Sequence, residues 1–83
     1  MNITVKYFAS IRETLGRGQE CLQTQAATLA ALRDELIARG GDHADCLGRG
    51  RAVRMALNQT LADESAALAD GAEVAFFPPV TGG

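Results

Sequence analysis

From Asn2 to Tyr7 apolar and polar residues alternate, with Ile3, Val5 and Tyr7 on one side and Asn2, Thr4 and Lys6 on the other. Successive side chains of a strand point to opposite faces, so this period of two predicts a strand with one buried face. Phe8 then puts an aromatic on the polar side. Ser10 to Gly16 reads as a short helical turn, with Ser10 as N-cap and Glu13 completing a capping box. Gly16 and Gly18 supply the turn that follows, and residues 20–24 form a weaker second strand with Leu22 inward and Cys21 outward.

The period changes after Thr28. Leu29, Leu32, Leu36 and Ile37 recur at three-to-four spacing, the apolar stripe of a helix capped by Thr28 and running to about Arg39. Arg33, Asp34 and Glu35 lie off that stripe and are expected on a solvated face. Gly40-Gly41 supplies the stop. Residues 40–51, rich in glycine and charge, are expected to be a flexible turn. Gly48-Arg49-Gly50-Arg51 does not suit a phosphate cradle, because a strand rather than a helix N-terminus follows it. Arg49, Arg51 and Arg54 hint at a small basic edge.

Alternation returns in Val53, Met55 and Leu57, a third strand, followed by a turn at Asn58-Gln59 and a short return strand over 60–62. Asp70-Gly71 marks a second tight turn, and Glu73 to Phe77 form the last strand. One helix covers only one face of such a sheet. If Ile3, Val5, Tyr7, Val74 and Phe76 face the helix, Phe8 and Phe77 face away, and Leu61 can join them in a docking patch. A bulge or a covering loop would bury one of them instead.

Composition narrows the function. Eighty-three residues suit one small domain, residues 1–77, with an extended tail at 78–83. The chain is 47% hydrophobic and 22% charged with a net charge of −2, which is globular and gives no footprint for nucleic acid or an anionic membrane. Neither a membrane-length apolar run nor a basic-then-apolar leader is present, so the cytoplasm is the expected compartment. Cys21 and Cys46 make no Cys-x-x-Cys pair and His43 is the single histidine, so both thiols are expected free and no metal site is expected. No Ser-His-Asp set or paired carboxylates point to self-contained catalysis.

The tail is the remaining candidate. Pro78 and Pro79 cannot continue a strand and stiffen its exit. Val80, Thr81, Gly82 and Gly83 follow, and a carboxylate on Gly-Gly carries no side chain to obstruct entry into a narrow slot. Three extended residues reach roughly 10 Å. Taken alone, such an end reads as a frayed terminus, and with nothing to anchor it the tail is expected to be mobile.

Tyr7-Phe8-Ala9, Ile11-Arg12-Glu13, Asn58-Gln59-Thr60-Leu61 and the block from Asp70 to Gly83 together closely resemble the small subunits of molybdopterin synthase. The C-terminal block is the most specific part. The resemblance implies an α+β, ubiquitin-like β-grasp fold: a mixed sheet of about five strands with one main helix on one face and a flexible Gly-Gly tail. In that arrangement the first and last strands are adjacent and parallel at the centre of the sheet.

The resemblance also implies a sulfur carrier. A ubiquitin-activating-like adenylyltransferase would use ATP to adenylate Gly83, and a sulfur donor protein would convert it to a thiocarboxylate. Thr81 and Gly82 would lead the loaded end into the large synthase subunit, in an expected heterotetramer, where sulfur passes to a cyclic pyranopterin to build the dithiolene. Phe8, Leu61 and Phe77 would contact that subunit. The chain itself would bind no cofactor and would be a non-catalytic, sulfur-donating subunit of a transferase. Carriage for thiamine, tRNA thiolation or cysteine synthesis is an alternative, as is a ubiquitin-like binding module whose tail is never activated. Phe-Phe-Pro-Pro-Val-Thr before the glycines favours the pterin branch.

Overall fold

The computed structural model describes residues 1–79, which fold in the order β1 (Asn2–Tyr7), α1 (Ala9–Leu15), β2 (Gln19–Gln23), α2 (Leu29–Ile37), α3 (Gly41–Leu47), β3 (Arg54–Leu57), β4 (Thr60–Ala62) and β5 (Glu73–Phe77). The five strands form one mixed sheet in the order β2-β1-β5-β3-β4. β1 and β5 pair in parallel at its centre, from Thr4 opposite Glu73 to Tyr7 opposite Phe76. Every other pairing is antiparallel. A parallel pair cannot be closed by a tight turn, so the chain between β1 and β5 must cross over, and it carries the helices with it.

The alternation in β1 and β5 is realised. Ile3, Val5, Tyr7, Val74 and Phe76 are all buried, and the Tyr7 and Phe76 rings stack with centroids 6.3 Å apart. Leu29, Leu32 and Leu36 of α2 and Leu47 of α3 complete the core with no measurable exposure. Each such side chain contributes about 1.5–3 kcal/mol through removal from water. Turn chemistry fixes the registers. Asn58 and Gln59 both have positive φ (51° and 69°), as a two-residue hairpin between twisted strands requires. Gly71, at φ 83°, donates its N–H to the Asn2 carbonyl at 2.7 Å, which sets the start of β5 against β1.

Four expectations are corrected. Beside the short α1 and the main helix α2, residues 41–47 form a further helix, α3, where a flexible turn was expected. Its sequence, Gly-Asp-His-Ala-Asp-Cys-Leu, gives only Leu47 to the core, so no apolar period announces it. Helix α2 ends at Ile37 rather than Arg39, and Gly40, at φ 73°, starts α3 instead of serving only as a stop. Ser10 does not cap α1. The helix begins at Ala9 with Phe8 as the cap residue and no side-chain cap bond. At α2 the expected cap does form, with Thr28 Oγ1 accepting from the Ala31 N–H at 3.2 Å.

Arg33 is the fourth correction. Instead of lying on a solvated face, it is 5% exposed. Its Nε donates to the Leu47 carbonyl at 2.7 Å, and Nη2 donates to the carbonyls of Gly48 at 2.9 Å and Arg51 at 3.1 Å. Nη1 meets Glu64 at 3.2 Å. A helix C-terminus leaves carbonyls without partners, and a guanidinium with five donors satisfies several at once. Arg49 is similarly committed, bonding Asp34 at 2.8 Å and also Glu64, so the expected basic edge is reduced.

Candidate functional site

All three helices pack on one side of the sheet, and the register assembles what the other side presents. Ala56 of β3 lies opposite both Ala75 of β5 and Leu61 of β4. Arg54 lies opposite Phe77. These are the outward residues of strands whose alternate positions, Met55, Val74 and Phe76, are buried. Phe8 is extended (φ −129°, ψ 156°), and its N–H donates to the Phe76 carbonyl at 3.1 Å. The β1–β5 ladder therefore continues one step past Tyr7 and brings Phe8 level with Phe77. Ala9, at φ 52°, then turns the chain off the sheet into α1.

The three residues expected as a patch differ in how far they are presented. Phe8 is 45% and Leu61 64% exposed, and Phe77 is half-buried. Phe8 and Phe77 sit on adjacent strands at one end of the face, and Leu61 lies two strands away on β4. Ala56 and Ala75 between them keep the floor low. Single exposed apolar residues are ordinary, so the three are a candidate for a contact surface only when taken together.

Below this end of the sheet, Pro78 lines a cleft with Ser10, Ile11, Thr14, Asp45, Cys46 and Arg51. The chain leaves the sheet here. Burial raises the pKa of the Cys46 thiol above its ordinary value, which favours the protonated form. Cys21 is exposed on β2, and both cysteines are free. Thr81, Gly82 and Gly83, the expected tail and loading site, lie outside the described residues.

One cluster had no signal in the sequence. Tyr7 donates its hydroxyl to Glu20 Oε2 at 2.8 Å, and Arg39 Nη1 reaches both Glu20 oxygens at 3.0 and 3.2 Å. His43 Nε2 is 3.9 Å from the same carboxylate. Four elements or their ends meet here, so the cluster clamps the helical layer to β1 and β2. Burial opposes the charge on Glu20, but the Tyr7 and Arg39 hydrogen bonds outweigh it and hold the carboxyl below its ordinary range. Burial and Arg39 lower the His43 pKa, while burial and Glu20 raise that of the Tyr7 phenol. No group of three or more histidine, cysteine or acidic residues able to hold a metal occurs among the described residues. Nor is any helix there long and apolar enough to cross a membrane.

A mixed sheet with parallel central strands, helices on one face and an apolar row on the other defines a ubiquitin-like β-grasp protein. The chain belongs to the ThiS family, whose profile matches residues 5–83. It is 42% identical over 81 residues to the molybdopterin synthase sulfur carrier subunit of Escherichia coli, covering 98% of this chain and 99% of that one. The protein of the same name from Haemophilus influenzae is 41% identical over 81 residues, with the same coverage. Among solved structures, the complex of subunits 1 and 2 of the molybdopterin-converting factor from Helicobacter pylori contains a similar chain. That chain has a TM-score of 0.70 and 27% identity, and each chain is covered completely.

Proposed function

We propose that the chain is a sulfur carrier, the small subunit of a molybdopterin synthase, loaded at the carboxylate of Gly83. The observation that carries this reading is the near-complete alignment with two sulfur carrier subunits of that name. The open apolar face supports it, because a carrier with no catalytic side chains of its own must dock on the proteins that act on it.

The chemistry follows from the reactivity of a carboxylate. As an anion it resists attack, and its oxygen is a poor leaving group. Attack of the Gly83 carboxylate on the α-phosphorus of ATP expels pyrophosphate and leaves an acyl-adenylate. The terminal sulfur of a donor persulfide then adds to the carbonyl, and the C–O bond to AMP breaks. A thiol reductant cleaves the resulting acyl disulfide, releasing the thiocarboxylate and leaving the donor thiol in a disulfide with the reductant. The thiocarboxylate is anionic at neutral pH, so it is a nucleophile without a neighbouring base. Its sulfur displaces an oxygen substituent from the pyranopterin side chain, and water then cleaves the acyl carbon–sulfur bond, which leaves sulfur on the pterin and restores the carboxylate. Gly82 and Gly83 let the backbone pass through narrow channels in the activating enzyme and the large subunit.

The Helicobacter pylori complex, which joins subunits 1 and 2, supports a large subunit as the docking partner. Phe8, Leu61 and Phe77 would contact it, with Thr81 and Gly82 leading Gly83 into its active site. The test is to mix the sulfur-loaded chain, the large subunit and a cyclic pyranopterin, then follow the pterin by mass spectrometry. Sulfur should move to the pterin as the chain returns to its unloaded mass. A pterin that gains no sulfur while the chain stays loaded would overturn the assignment to this pathway.

A further inference from the structure

The open face is not purely apolar, since Arg54 projects from β3 directly opposite Phe77. Arg54 is exposed, in contrast to buried Met55 beside it. It also lines a shallow groove with Leu61, Val53, Asp63 and Glu64, and its strand lies between those that carry Phe77 and Leu61.

Among the described residues, none of the nearby carboxylates pairs with Arg54. Glu64 accepts from both Arg33 and Arg49. Asp63 accepts from the Ser65 N–H at 2.8 Å and from its hydroxyl. Glu73, on the same face, pairs with Lys6 at 3.2 Å. Among the described residues, Arg54 makes no ion pair or side-chain hydrogen bond. The face therefore carries one neutralised cation, Lys6, and one unneutralised cation, Arg54.

Covering such a face with an apolar partner would strip water from a guanidinium and return nothing, at a cost that outweighs the gain from the adjoining phenyl rings. We propose that Arg54 is the specificity determinant of this face, pairing with a carboxylate that the large subunit presents inside the otherwise apolar contact. This rests on the large subunit being the docking partner. An arginine suits the position because its planar fork holds both carboxylate oxygens while its faces stack on an aromatic such as Phe77. The pair selects a cognate partner, since a large subunit with an apolar or basic residue at that point would be rejected.

The test is a titration of the purified large subunit from the same organism with five versions of this chain, at low and moderate salt. They are the wild type, Arg54→Leu, Arg54→Lys, Arg54→Glu and Phe77→Asp. Arg54→Leu is decisive, because it keeps apolar area and removes only the charge. It should weaken binding about tenfold and flatten the salt dependence, Arg54→Glu should weaken it further, and Arg54→Lys should recover part of the loss. Equal or tighter binding by Arg54→Leu would overturn the inference while leaving the docking partner intact, provided Phe77→Asp still weakens the complex. If the wild type does not bind at all, the partner assignment itself fails and the inference with it. Arg54 supports no core contact, so matching circular dichroism spectra confirm that each Arg54 variant is folded.

Discussion

Arg33 Nε donates to the Leu47 carbonyl at 2.7 Å, so a charged side chain from the middle of α2 closes the C-terminus of α3. Removing it would leave three carbonyls and Glu64 short of a donor in a site where Arg33 is nearly inaccessible. Arg33→Met should therefore destabilise the fold by about 3 kcal/mol, the range for breaking a buried charged network. Arg33→Lys should recover less than half, because an ammonium cannot span separated carbonyls. Urea unfolding at constant slope reads both values. A change below about 0.5 kcal/mol for Arg33→Met would show that water replaces the guanidinium freely.

The Glu20 cluster predicts how stability depends on pH. His43 and Glu20 both have folded pKa values below their ordinary 6.5 and 4.5. In each case the unfolded chain takes up its proton at a higher pH than the folded chain does. The unfolded state then holds more protons as pH falls, and stability drops, first below 6.5 through His43 and then below 4.5 through Glu20. The groups facing His43 are Arg39, Arg17, Glu20 and Asp42, with the Tyr7 ring edge-on at 6.4 Å. The raised Tyr7 phenol stays a donor across this window. The urea midpoint should fall between pH 7 and pH 5, and His43→Gln should remove most of that fall. A variant that tracks the wild type throughout would show that His43 is not the titrating group.

Leu61 gives the cleanest probe of the open face, being 64% exposed and far from the core. Leu61→Asp should leave the unfolding midpoint almost unchanged while weakening large-subunit binding by about 1–2 kcal/mol, as expected when an unpaired carboxylate is pressed against an apolar partner. Isothermal titration measures the second and urea unfolding the first. Unchanged affinity would move the contact off this face.

These experiments divide between what was legible in the sequence and what was not. Strict alternation at Ile3, Val5 and Tyr7, and at Val74 and Phe76, made the central strands and their facing readable, and with it the outward placement of Phe8 and Phe77, of which Phe8 is exposed and Phe77 half-buried. Helix α3 was hidden because Leu47 alone anchors it, so there was no period to find. Arg33 was misplaced for a related reason. Periodicity sorts residues by polarity, whereas its burial depends on carbonyls brought together by a helix distant in sequence. Ser10 had capping chemistry, but the ladder bond from Phe8 to Phe76 commits the chain to enter α1 earlier. The Tyr7–Glu20–Arg39–His43 cluster joins residues from separated segments, none of which forms a motif with its neighbours.

The central claim concerns Gly83. It is tested most directly by incubating the chain with an activating enzyme of the same organism, ATP and a sulfur donor, then measuring its intact mass. The wild type should gain the mass difference of one oxygen exchanged for one sulfur, and neither a chain lacking Gly83 nor one extended beyond it should gain anything. A wild-type chain that keeps its mass while the enzyme consumes ATP with a known carrier, or a gain that persists without Gly83, would contradict the account.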